Sequence, residues 1–253
     1  MLALWVSLKE NVNCGVKLID VVKQQGKYGN ANRELGPSME TPSPLVISRR
    51  IGNTQTLLQE LDIGDPSRNI VEMIFWKAWM NTSKPKRKIK TVYRVSNSIE
   101  VLERFEKYRE NVKKKAYGHY AMHPRSTVDG NELLRFYGTT MSCCQGKSKK
   151  VSELCKDPSC QVCRIIQSNF ETESTKKNGI QLSTSSQELS DYTITTTEAK
   201  NMKRAVIICR AIAGSIIHVN GGEYGEKRHH FNYGNLVVRN PSAVLPCFVI
   251  VFS

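Results

Sequence analysis

Apolar positions change their spacing along this chain, and the change divides it into elements. Between Asp65 and Trp79 they fall at Ile70, Ile74 and Ala78, with Val71, Phe75 and Trp79 beside them, which makes a wide stripe of helical period. Asp65-Pro66-Ser67-Arg68 predicts where that helix starts. An aspartate can cap free amide groups, and a proline suits the first helical position, where its missing N–H costs nothing. The stripe predicts a helix packed on a sheet. Ahead of it, Ile51, Leu57, Leu58 and Leu61 give Leu45 to Leu61 a weakly helical pattern. Ile89, Val92, Tyr93 and Val95 predict a short strand. A second helix is expected to start near Asn97, with Glu100 three residues on as in a capping box. Val101, Phe105, Tyr108 and Val112 line one side of it, while Glu103 with Lys107 and Glu110 with Lys114 are spaced to pair on the other.

The second half reads differently. A strand-like run ends in Tyr137-Gly138-Thr139-Thr140, Glu171 to Asn178 is polar and loop-like, and Gly179-Ile180-Gln181-Leu182 precedes a Ser/Thr-rich segment ending at Tyr192. Arg204 to Ala213, Leu236 to Val238 and Val244 to Phe252 are β-rich. Helices come early and strands late, so the expected class is α+β with a mostly antiparallel sheet. Three regions are expected: a flexible leader over 1–44, rich in Gly, Asn, Gln, Ser and Pro; a helical amino-terminal part over 45–128; and a sheet domain over 129–253.

A length of 253 residues fits one main domain. The net charge of +14 comes partly from runs at Lys84 to Lys90, Lys113 to Lys115, Lys147 to Lys150 and Lys227 to His230. Such runs either contact phosphates or form a solvated surface. The amino end has no basic segment before its apolar start and no small-residue cleavage site, so no secretory signal is expected. The longest apolar run, Ala243 to Phe252, contains Pro246 and falls well short of the roughly 18 residues of a membrane span. With no secretion expected, the cysteines are expected to be reduced.

Five of the eight cysteines lie between Cys143 and Cys163. Cys143, Cys155, Cys160 and Cys163 have the spacing C-x11-C-x4-C-x2-C. The close pair can put two thiolates on one ion, and four complete a tetrahedral structural zinc site with no open position for catalysis. Cys144 is a spare for Cys143. The alternatives are reduced, unliganded thiols or a C-x-x-C redox pair, although a redox pair has no need of the upstream cysteines. Cys209 and Cys247 sit in apolar strand runs and read as core fillers, and His119 with His123 as ordinary loop residues. A second constellation joins Tyr137, Gly138 and Thr139 with Gln181 and Tyr192. A glycine at a strand end lets a ligand approach the backbone, and a tyrosine can stack on a flat ring.

From about Gly64 to Phe252, the blocks SRNIVEMIF, LERFEKYRENVK, HPRSTVDGNELLRFYGTT, CQVCRII, KRAVIICRAIAG and VRNPSAVLPCFVIVF resemble the carboxy-terminal region of plant Cys2His2-like zinc finger proteins. That region in turn resembles the catalytic domain of poly(ADP-ribose) polymerases, in which NAD lies in a cleft of a split sheet. The resemblance implies an ADP-ribosyltransferase-like split antiparallel sheet, with an amino-terminal helical layer and a zinc knuckle inserted at 143–163. It also implies a nuclear location and a protein partner. Tyr137-Gly138 falls where a His-Gly pair holds nicotinamide and ribose, Gln181 replaces a tyrosine, Tyr192 matches the stacking tyrosine, and Asn235 falls where a catalytic glutamate would stand. An amide carries no charge to stabilise an oxocarbenium-like centre. Glu223 or Glu226 could supply a carboxylate from the preceding loop. Before Gly64 there is no Cys-x2-4-Cys with a following His pair, so the family's DNA-reading finger is absent from this chain. The expected function is a zinc-binding nuclear regulatory or interaction module without standard polymerase chemistry. The alternatives are a mono-ADP-ribosyltransferase using NAD, with Gly138, Thr139 and Tyr192 at the cofactor and Tyr137, Gln181 and Asn235 as candidate catalytic positions, or a basic nucleic-acid-binding module.

Overall fold

In a computed structural model, the described residues are 55–79, 87–117, 124–143, 151–186, 202–214, 230–232 and 235–253. The elements run β1 (Leu57–Glu60), α1 (Pro66–Lys77), β2 (Ile89–Ser96), α2 (Ile99–Ala116), α3 (Arg125–Asp129), β3 (Glu132–Met141) and β4 (Val151–Glu153). There follow α4 (Gln161–Gln167), α5 (Glu173–Asn178), β5 (Ile180–Ser183), β6 (Lys203–Ile212), β7 (His230–Asn232), β8 (Asn235–Val238), a 3-10 turn (Pro241–Ala243) and β9 (Val244–Phe252). The described strands form one sheet in the order β4-β1-β2-β9-β6-β3-β5-β8-β7, and every pairing is antiparallel. The chain is therefore mixed α+β on an antiparallel sheet, as its pattern predicts. The segment 55–128 supplies β1 and β2 to that sheet as well as three helices, and the expected leader lies outside the described residues.

Helix α1 starts where the sequence places it. Asp65 Oδ1 accepts from Ser67 N at 2.7 Å and Arg68 N at 3.4 Å, with Pro66 in the first turn. Its buried side holds Val71, Ile74 and Phe75, and Phe75 meets Phe252 of β9 with ring centroids 5.4 Å apart. Leu57 to Glu60 is a strand, not the helix its spacing suggested. Hydrogen-bonded ladders to β2 and β4 on either side outweigh a weak local period, and Leu58 faces the core at 1 % exposure. Helix α2 is capped by Ser98, whose side chain accepts from Val101 N, so the capping position lies one residue later than expected. Asn97 instead donates Nδ2 to Pro246 O at 2.8 Å. On the polar side, Glu110 pairs with Lys113 at 2.9 Å where the spacing had suggested Lys114. Glu173 to Asn178 is helical where a loop was expected, because Thr172 and Thr175 exchange capping bonds. Gly179 ends that turn at φ +76°, and a Cβ there would sit 2.7 Å from Val237 Cγ1, so glycine is required twice over.

Partners across a rung share a face of the sheet, so two adjacent rungs fix its layers. Tyr93, Val249, Ile207 and Tyr137 form one rung across β2, β9, β6 and β3, and the Tyr137 ring stands edge-on to Phe170, just past α4, at 5.3 Å. Arg94, Phe248, Ile208 and Phe136 form the next rung and point the other way, where Arg94 Nη2 donates to Ser67 Oγ of α1 at 2.9 Å. Cys209 and Cys247 are fully buried in this core. Pro246 sits in interior strand β9 opposite Cys209, where the β6–β9 register shifts, and the bulge accommodates the absent N–H.

The β1-side strands are joined by ladders of several pairs, but β3 meets β5 at one pair only, Phe136 with Ser183. Beyond it β3 continues through Met141 on β6 alone, while β5 pairs fully with β8. The sheet is continuous in order but separates locally at that seam.

Candidate metal centre

Cys143, Cys155, Cys160 and Cys163 are brought together from three separate elements. Cys143 follows the end of β3, Cys155 lies two residues past β4, Cys160 is the cap residue of α4, and Cys163 lies in that helix's first turn. Their sulfur atoms all lie within 4.8 Å of one another. Cys143 Sγ is 3.4 Å from Cys160 Sγ and 3.5 Å from Cys163 Sγ. Tetrahedral sulfurs about 2.3 Å from a zinc ion stand about 3.8 Å apart, so the observed spacing suits a shared ion. It is far longer than the roughly 2.05 Å of a disulfide.

Burial and local turns support the same use. Cys160 and Cys163 are fully buried, and Cys143 and Cys155 are partly so. The Cys160 thiol is held well below its ordinary range, chiefly by hydrogen bonds from Cys143 and Cys163. At Cys163 the bond to Cys143 lowers the pKa, but the Cys160 contact and burial together push it up. Four sulfurs this close cannot all ionise without a cation between them, whereas an ion of charge +2 would stabilise every thiolate at once. Four thiolates could hold a metal such as zinc and leave no open coordination position, so the chemistry on offer is structural bracing.

Sequence reasoning missed a clasp beside the sulfurs. Asp157 Oδ1 accepts from Ser159 N at 2.8 Å and from Ser159 Oγ at 2.7 Å, while Ser142 Oγ donates to Asp157 Oδ2 at 3.3 Å. The first two bonds pull the Asp157 carboxyl below its usual range. Ser142 precedes Cys143 and Ser159 precedes Cys160, so one carboxylate ties both cysteine-bearing segments. Asp157-Pro158-Ser159 is a turn signal that could have flagged this.

The second constellation is only partly assembled. Tyr137, Gly138 and Thr139 lie on β3 just past the β3–β5 seam. Gln181 is exposed on β5 and pairs with Val237, and Asn235 is exposed opposite Ser183, the residue that also meets Phe136. Burial raises the pKa of the Tyr137 phenol, with a further rise from Cys209. Tyr192, His119, His123, Cys144, Glu223 and Glu226 lie outside the described residues. Lys113 to Lys115 occupy the last turn of α2 and Lys90 lies in β2, just after Arg87 and Lys88, while Lys147 to Lys150 and the start of the other run, 84–86, also fall outside the described residues. Among the described residues no helix is long and apolar enough to cross a membrane. The chain matches no protein-family model and no curated protein.

Proposed function

We propose that this chain is a zinc-braced regulatory or interaction module of the plant Cys2His2-like zinc finger type, acting in the nucleus on a protein partner. It keeps an ADP-ribosyltransferase-like sheet without standard polymerase chemistry. The observation that carries the zinc reading is the group of four cysteine sulfurs within 4.8 Å of one another. The local separation of β3 from β5 supports the split-sheet comparison, since a cleft between sheet halves needs such a seam.

The loss of polymerase chemistry rests on the groups at the best-matched positions. Tyr137 puts a phenol packed on Phe170 where an imidazole would hold ribose. Asn235 puts a neutral amide where a carboxylate would stabilise positive charge on the sugar. The test is calorimetric titration of the purified full chain with NAD, run beside metal analysis. No heat at millimolar NAD, with about one zinc per chain, is the expected result. Saturable NAD binding with slow transfer of ADP-ribose to a protein would establish the mono-transferase reading in its place.

A further inference from the structure

The four clustered sulfurs differ in how open they are. Cys160 and Cys163 are buried, whereas Cys143 and Cys155 are only partly so. The loop between Cys155 and Cys160 is thin cover, since Lys156, Asp157, Pro158 and Ser159 are all exposed. A small solute therefore meets Cys143 or Cys155 first. Cys143 Sγ stands 3.4 Å from Cys160 Sγ and 3.5 Å from Cys163 Sγ, so this more open sulfur has two buried ones beside it. A disulfide needs roughly 2.05 Å between sulfurs, and the remaining gap is within the range of a small side-chain rotation. Cys209 and Cys247 are the contrast. Both are fully buried within strands, where Cys209 Sγ donates to Ile207 O at 3.7 Å and Cys247 Sγ to Leu245 O at 3.5 Å. Buried structural thiols of this kind are inert.

A bound divalent ion keeps its cysteines as thiolates at neutral pH, where an unliganded thiol is mostly protonated. The thiolate is the form that attacks an electrophile. Four of them around one divalent ion leave the centre with a net negative charge, so it stays electron-rich. Resting on the zinc reading above, we propose that the centre is a peroxide-responsive switch in which a Cys143–Cys160 disulfide takes the place of the metal. The Cys143 sulfur attacks one oxygen of hydrogen peroxide, the O–O bond breaks, and a sulfenic acid forms as hydroxide leaves. The Cys160 thiolate then attacks that sulfur, the S–S bond forms, the S–O bond breaks and a second hydroxide leaves. Two protons from solvent turn both hydroxides into water. The two cysteines give up two electrons and the peroxide takes them. Cys155 and Cys163 alone cannot complete a tetrahedral site, so the ion is released. The new bond still ties α4 to the end of β3, but Cys155 is let go and with it β4, the three-residue edge strand.

The experiment treats zinc-loaded full chain with millimolar hydrogen peroxide, follows zinc with a chromogenic chelator, and maps disulfides by mass spectrometry of the unreduced digest. About one zinc released per Cys143–Cys160 disulfide is expected, with the melting temperature falling by several degrees and dithiothreitol plus zinc restoring both. Cys209 and Cys247 should stay reduced throughout. Zinc retained through the treatment overturns the switch and leaves the zinc reading standing, whereas protein isolated without metal overturns both. Release accompanied only by sulfinic or sulfonic acids, or by any pairing other than Cys143 with Cys160, also overturns the switch.

Discussion

Cys143 Sγ, just beyond β3, lies 3.4 Å from Cys160 Sγ at the cap of α4. β3 is an interior strand and β4, whose chain leads to Cys155, is the three-residue edge on the far side of β1, β2, β9 and β6. A cluster holding Cys143, Cys155 and the start of α4 therefore ties a short edge strand and a helix of seven residues to the middle of the sheet. Neither piece is long enough to be stable by itself.

Removal of the metal should therefore be felt as lost stability. Full-chain protein should contain about one zinc per molecule, and Cys160→Ser or Cys163→Ser should abolish it and lower the melting temperature by several degrees. Chelation should lower the wild-type melting temperature to that of the variants and leave theirs unchanged. Metal-free wild-type protein with unaltered melting would contradict the reading. Affinity should also fall as pH falls, because protons compete for the thiolates.

Asp157 should matter to the centre without being a ligand. Asp157→Ala removes the bonds to Ser159 and Ser142, so zinc affinity should fall roughly 10- to 100-fold while stoichiometry stays at one, as for other residues that orient ligands. Competition with a chromogenic chelator reads both quantities.

The buried ion network under α2 gives a third expectation. Arg210 grips Glu132 through both carboxylate oxygens at 2.9 and 2.8 Å, Arg109 reaches the same carboxylate at 3.2 Å, and Arg109 also pairs with Glu106. Arg210 further lies 5.0 Å from the Phe105 ring centroid. Glu132→Leu removes the carboxylate that both guanidinium groups share, leaving Glu106 to balance two largely buried charges, and should cost about 3–5 kcal/mol in urea denaturation. Glu132→Leu combined with Arg109→Leu, Arg210→Met and Glu106→Gln, the last because Glu106 pairs with both arginines, should recover most of that loss.

These features differ in how legible they are in the sequence. The cap at Asp65, the apolar stripe of α1 and the late strands follow from local chemistry, and the four-cysteine spacing named its own members. Leu57–Glu60 became a strand because of partners more than thirty residues away, which no local period encodes. Nothing local marks Glu132, because its two arginine partners come from a helix and a strand 23 and 78 residues distant. The β3–β5 seam is likewise a property of pairing, with nothing at Phe136 or Ser183 to announce it.

Arg135 and Tyr137 share the α4 face of β3, and both are unsettled by burial in opposite directions of charge. Arg135 has a buried Nε without a hydrogen-bond partner, and burial lowers its pKa to about 10. Its charge is therefore a cost to the folded state at neutral pH. Because the folded pKa lies below the unfolded value, that cost is complete below pH 10 and is relieved as pH rises from 10 toward the unfolded value of about 12.5. Arg135→Met should stabilise the protein at pH 7 by about 1 kcal/mol, a conservative figure for a partly buried group. Burial raises the Tyr137 pKa, so the unfolded chain ionises this phenol first and stability falls as pH climbs past about 10, the ordinary value. Tyr137→Phe should remove that alkaline loss and leave neutral stability nearly unchanged, since the edge-on contact with Phe170 is kept. Denaturant melts at pH 7 and above 10 separate the two effects, because Arg135→Met gains most at neutral pH and Tyr137→Phe only in alkali. A Tyr137→Phe profile that parallels wild type would show that the phenol ionises freely in the fold.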